Sequence, residues 1–110
     1  MAKQSLGEFE HQVLLAALRL GDQAYSAAIV LELETRAGRE VATAAVYIAL
    51  RRLEEAGLVS STMSDQAAPG GRRERRYFQV TDQGLDLLRA SREQLMRLWS
   101  GIEPLLRGAR

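Results

Sequence analysis

Apolar residues along this chain recur at intervals of three and four, switch to every second position, then return to three and four. Leu6, Phe9, Val13, Ala17 and Leu20 share one face of a first helix. Ser5 and Glu8 stand at capping-box spacing ahead of it, and Gly21 ends it just after Leu20. Leu14, Leu15 and Leu18 widen the apolar surface nearly all the way round, which predicts a helix covered on two sides. A second helix is predicted over about 27–37, capped by Ser26, with Ile29, Val30, Leu33 and Ala37 inward and "AGRE" closing it. A third runs from about Thr43 to Ala56, buries Val46, Leu50 and Leu53, and stops at Gly57.

From Leu58 the pattern turns strand-like. "LVSSTMS" is rich in β-compatible and hydroxyl residues, "DQAAPGG" has loop composition, and "RERRYFQV" alternates, with Phe78 and Val80 on one face and Tyr77 and Gln79 on the other. A hairpin with a long tip is predicted. Thr81 then caps a last helix that Gly101 and Pro104 disturb. Helix, helix, helix, hairpin, helix gives a mainly α fold with a two-stranded β-hairpin. It is the order of a winged helix-turn-helix (residues 1–80), followed by a C-terminal dimerisation helix and tail (81–110).

The last helix motivates the word dimerisation. Leu85, Leu88, Arg92, Leu95, Trp99, Ile102 and Leu106 alternate by three and four, a heptad stripe broken only by Arg92. Up to Glu103 such a helix is roughly 33 Å long. The expected seam consists of Leu85, Leu88, Leu95, Trp99, Ile102 and Leu106, with Leu15 and Leu18 of the over-apolar first helix sharing it. The competing arrangement folds the helix back on its own domain. Within the seam Trp99 suits stacking on a planar effector, or equally a structural anchor.

The third helix has a second face. Opposite Val46, Leu50 and Leu53 it presents Ala44, Ile48, Arg51 and Glu55, flanked by Tyr47 on one side and by Ala45 and Arg52 on the other. Glu54 and Glu55 sit at the far end, where a helix seated in a groove would be leaving it. Small residues at the entry allow close approach to a DNA groove. Ile48 suits a thymine methyl, and the arginines reach guanine or phosphate. A solvated face laced with ion pairs is the plainer reading of "LRRLEE", but it needs neither an outward Ile48 nor a half-outward Tyr47.

Charge sharpens the picture. The chain has 15 Lys/Arg against 14 Asp/Glu, a net of +1, so a uniformly basic nucleic-acid coat is ruled out. Residues 1–71 hold 6 basic and 9 acidic side chains, whereas 72–110 hold 9 and 5. Arg72, Arg73, Arg75 and Arg76 make most of that excess at the base of the expected hairpin. Guanidinium groups there fit a duplex backbone, with salt-dependent affinity; protection of an edge strand would need fewer.

Other chemistries find little support. With no cysteine and a single histidine, His11, expected on the surface, neither a metal site nor a cofactor site is expected. No nucleophile has a base beside it, so no enzyme is expected. The apolar runs are too short to span a bilayer, and the expectation is a soluble, cytoplasmic protein.

"LGEFEHQVLLAALRLG", "AVYIALRRLEEAGLVSS" and "GGRRERRYFQVTDQG" resemble the PadR-like winged-helix transcriptional regulators over about Leu6 to Gly84. The resemblance implies a homodimeric bacterial DNA-binding regulator, usually a repressor, on an inverted-repeat operator in double-stranded DNA. It also implies a response to small aromatic or drug-like compounds, for which Trp99 is the candidate contact. By motif position Tyr47 matches the recognition-helix tyrosine, and Arg72 to Arg76 match the basic wing. The family often opens that helix with serine and glycine, where this chain has Ala42 and Ala44, leaving Thr43 to cap. The DNA-contacting set is therefore Thr43, Ala44, Ala45, Tyr47, Ile48, Arg51, Arg52, Arg72, Arg73, Arg75 and Arg76. A protein–protein module using the basic wing on an acidic partner is the alternative.

Overall fold

The computed structural model of the chain describes residues 5–68 and 71–108, with side-chain positions outside 65–73. Its elements are α1 (Glu8–Leu20), α2 (Ser26–Ala37), α3 (Thr43–Glu55), β1 (Val59–Ala68), β2 (Gly71–Val80), α4 (Asp82–Trp99) and a short α5 (Glu103–Leu106). One 3₁₀ turn, Gly21–Gln23, extends α1. The core gathers Val13 and Leu14 of α1, Ile29 and Leu33 of α2, and Val46, Leu50 and Leu53 of α3. Leu58, Phe78 and Leu88 close it from the hairpin and α4. Ala37, expected inward, is exposed at the end of α2.

Helix starts depart from the sequence expectation. Gly7, not Ser5, occupies the N-cap of α1, and its N–H donates to the Glu10 carboxylate at 3.1 Å. Ser26 is the first residue of α2 rather than its cap; Tyr25 holds that position, with its ring edge-on to Tyr77 at 5.5 Å. Thr43 likewise begins α3, and Ala42 precedes it with no side-chain cap. Side-chain capping is worth only about 1 kcal/mol, too little to fix where these helices start. Thr81 does cap α4, accepting from the Gly84 N–H at 3.1 Å.

Helix ends follow glycine. Gly38 (φ 63°) closes α2, and its N–H and that of Arg39 return to the carbonyls of Glu34 and Leu33. At the end of α3, Gly57 (φ 81°) donates to the Glu54 carbonyl and Leu58 to the Leu53 carbonyl. This paired bonding brings the buried side chains of Leu53 and Leu58 to the same end of the helix.

The hairpin is longer and tighter than composition suggests. Its register runs from Val59 opposite Val80 to Ala68 opposite Gly71, so "DQAA" is strand and only Pro69 and Gly70 separate the two strands. Ladder hydrogen bonding overrides the loop-like composition here. Both faces of the base are covered. Phe78 packs towards α3, while Tyr77, on the other face, is buried against Tyr25. The Phe78 N–H also donates to the Ala24 carbonyl at 2.8 Å, pinning β2 to the link after α1.

The first half of α4 belongs to the protomer's own core: Gly84 and Leu88 are buried, and Ser91 Oγ lies 2.9 Å from His11 Nδ1 on α1. His11 is thus a half-buried bridge rather than a surface residue, and Leu88 is engaged without any partner. Beyond that point α4 leaves the domain, and the molecule measures 60 × 35 × 20 Å. The helix ends at Trp99, at 18 residues about 27 Å long, shorter than expected. Gly101 (φ 85°) breaks the stripe, so Ile102 and Leu106 lie past the break, at the start and within the separate turn of α5. No helix among the described residues is long and apolar enough to cross a membrane.

A Cβ added at Gly84 would stand 2.2 Å from the Leu58 carbonyl oxygen and 2.8 Å from Val80 Cγ1. Gly84→Ala is therefore expected to destabilise the fold by about 1–3 kcal/mol through overpacking against backbone. Chemical denaturation checks this; an unchanged midpoint would contradict the packing described.

Candidate nucleic-acid interface

The helix α3 is amphipathic by construction. Val46, Ala49, Leu50 and Leu53 are spent on the core, which leaves the opposite face to project. Ala44 and Ile48 are exposed there, Ile48 at 52%, with Ala45 half-buried beside them and Thr43 exposed at the tip. Arg52 is exposed and Arg51 half-exposed. An exposed isoleucine ringed by alanines and arginines is a surface suited to contact rather than to solvation.

Tyr47 is oriented by its neighbours on both sides. Its ring meets Phe78 of β2 edge-on at 6.2 Å, and its hydroxyl accepts from Arg51 Nη1 at 3.2 Å. That hydrogen bond is the main reason its phenol sits below its ordinary value of 10.0, and the same bond raises Arg51. The two side chains form a polar pair at the boundary between helix and hairpin, with the arginine also 5.9 Å from the ring centroid.

The hairpin's arginines divide. Arg76 shares the face of Phe78 and donates to Ser61 Oγ at 2.9 Å, beside α3. Arg75 shares the face of Tyr77 and lies over the Tyr25 ring at 4.3 Å, away from α3. Strand alternation causes this, since adjacent residues cannot point the same way. The side chains of Arg72 and Arg73 lie outside the described residues. Of the two that are described, Arg76 lies beside α3, joined to it through Ser61 and Glu54, and Arg75 lies over Tyr25.

Two residues that sequence reasoning missed stand between helix and hairpin. Glu54 pairs with Arg51 Nε at 3.3 Å, and its other oxygen accepts from Ser61 Oγ at 2.5 Å. Glu54 reads in sequence as an acid where the helix leaves a groove. Its three-residue spacing from Arg51 was the available signal, but the approach of Ser61 required the hairpin's placement.

At the far end of the molecule the expected seam residues are distributed unevenly. Leu15 and Leu18 are exposed on α1, as are Leu95 and Trp99 on α4, Trp99 at 44%. Leu85 is half-buried. Outside the heptad stripe, Met96, Leu98 and Leu105 are exposed too, Leu98 at 74%.

The PadR-like transcriptional regulator family model matches residues 14–90. A PadR family transcriptional regulator from Eggerthella lenta DSM 2243 is 30% identical, with a TM-score of 0.62 over 87% of this chain and 84% of that one. A PadR family transcription regulator from hypervirulent Clostridium difficile R20291 is 24% identical, with a TM-score of 0.66 over 87% and 97%. A PadR-like transcriptional regulator from Bacillus cereus strain ATCC 14579 is 22% identical, with a TM-score of 0.69 over 92% and 93%. No curated protein sequence matches the chain. With the family model covering most of its length and the winged-helix fold in common, the chain belongs to the PadR-like family of transcriptional regulators, and it is a regulator of transcription rather than an enzyme.

Proposed function

We propose that this regulator works as a homodimeric repressor on an inverted-repeat operator. In this reading α3 enters the major groove, with Thr43, Ala44 and Ala45 at the entry and Tyr47, Ile48, Arg51 and Arg52 towards the bases and flanking phosphates. The hairpin follows the adjacent backbone through Arg76 and, nearer its tip, Arg72 and Arg73. The observation that carries the proposal is the exposed Ile48 set among alanines and arginines on α3, with Arg76 of the hairpin joined to Glu54 of the same helix through Ser61. Repression follows from occupying promoter DNA.

The second half of the proposal concerns the projecting end of α4. Leu95, Met96, Leu98 and Trp99 form an apolar surface too large to stay in water on a small domain. A second copy packed there, with α1 contributing Leu15 and Leu18, creates the two-fold axis that an inverted repeat requires. A planar aromatic effector stacked on Trp99 would then alter the separation of the two α3 helices and release the operator.

Titrating a fluorescent duplex selected by this protein from a random pool tests the first half. Log affinity should fall linearly with log salt, and Arg72→Ala with Arg73→Ala should flatten the slope by about 2, near 0.9 per lost phosphate contact. A slope unaffected by those changes removes Arg72 and Arg73 from the interface. Failure of any duplex to be preferred, with binding instead to an acidic protein, would favour the protein–protein alternative.

Sedimentation tests the second half. Wild type is expected to be a dimer, and Leu98→Glu with Trp99→Glu to yield folded monomers. Their operator affinity should drop about 100-fold or more, as two linked reading heads become one. A monomeric wild type contradicts the seam.

A further inference from the structure

The carboxylate of Glu54 sits where the exposed face of α3 meets the base of the hairpin, and its two oxygens serve different elements. Oε1 lies 3.3 Å from Arg51 Nε, and Oε2 accepts from Ser61 Oγ at 2.5 Å. Ser61 then accepts from Arg76 Nη1 at 2.9 Å, using the hydroxyl as donor on one side and acceptor on the other. On the helix side Arg51 continues to the Tyr47 hydroxyl at 3.2 Å. Tyr47, Arg51, Glu54, Ser61 and Arg76 thus form one unbroken polar chain that crosses from α3 through β1 to β2. Glu54 is half-buried, so its attraction for Arg51 is less screened than that of a fully exposed pair.

A negative charge at this point opposes the binding of any phosphate. If affinity were all that mattered, an uncharged residue would serve better. What the carboxylate supplies is direction. It holds Arg51 on one side and, through Ser61, Arg76 on the other, so the two guanidinium groups keep a fixed separation before DNA arrives. An arginine already held loses less side-chain freedom on making its contact, and it matches phosphates and bases only at the spacing for which it is held. A duplex that presents its groups elsewhere must break the bridge first, which is a cost against the wrong partner rather than a gain for the right one.

We infer that Glu54 and Ser61 are positioning residues that couple helix to hairpin and give the protein operator discrimination at the expense of general DNA affinity. This rests on the reading of α3 and the hairpin as the DNA surface.

The test uses the full-length protein with two duplexes of equal length, one selected by the protein from a random pool and one with the same bases scrambled. Ser61→Ala leaves the charge unchanged and should lower the ratio of selected to scrambled affinity about tenfold, within the range of measured coupling between contacting residues. Selected binding should stay within about twofold of wild type while scrambled binding rises, and Ser61→Thr, which keeps the hydroxyl, should restore the ratio. Glu54→Gln should strengthen binding to both duplexes, the scrambled one more, so that its ratio also falls. The proposal is overturned if Ser61→Ala keeps the wild-type ratio, or if Glu54→Gln strengthens both equally, because Glu54 would then only repel phosphate. Should Ser61→Ala not fold, Arg51→Ala, Arg76→Ala and the double variant decide. Fold-losses on the selected duplex that fail to multiply support the coupling, and losses that multiply overturn it. A wild type with no preference between the duplexes sinks the regulator reading itself, a different outcome from any of these.

Discussion

Leu58 is where the pieces of this molecule are tied together. Its N–H closes the end of α3 on the Leu53 carbonyl, its side chain is buried in the core, and its carbonyl accepts from Thr81 at the start of α4. Gly84 packs directly against that same carbonyl, at a distance no side chain would tolerate. Thr81 adds a second tie, donating through its hydroxyl to the Gly57 carbonyl at 2.7 Å. One turn of chain therefore sets the end of α3, the beginning of the hairpin and the direction of the projecting helix. Because backbone groups make most of these ties, the geometry of this junction is stiff.

The projecting half of α4 is the other consequence of that arrangement. The first turns of α4 are buried in the domain, and its last turns expose Leu95, Leu98 and Trp99. The His11–Ser91 contact steadies the point at which the helix departs from α1. The start of α4 is in turn joined to the end of α3 by the hydrogen bonds from Thr81 to the Leu58 and Gly57 carbonyls.

Much of this was legible in the sequence. Periodicity located all four long helices, glycines located their ends, and the exposed face of α3 followed from the position of its core residues. What failed did so for identifiable reasons. Side-chain caps at Ser5, Ser26 and Thr43 are weak local preferences, worth about 1 kcal/mol, and do not fix a helix start. "DQAA" looks like loop, yet cross-strand hydrogen bonds hold it as strand. The heptad count ran past Gly101 because hydrophobic spacing says nothing about a left-handed backbone. Four adjacent arginines suggested a single patch, whereas strand alternation separates Arg75 from Arg76. The Glu54–Ser61 bridge was invisible for a deeper reason: it joins residues on different elements whose approach only the folded hairpin creates.

The central claim is that two copies of α3, each with its hairpin, straddle a duplex about a two-fold axis. Hydroxyl-radical footprinting on a selected duplex tests it most directly. The account predicts two equivalent protected patches related by symmetry, their centres separated by about one helical turn, ~34 Å, or a multiple of it. A single protected patch, or uniform protection with no symmetry, would contradict it.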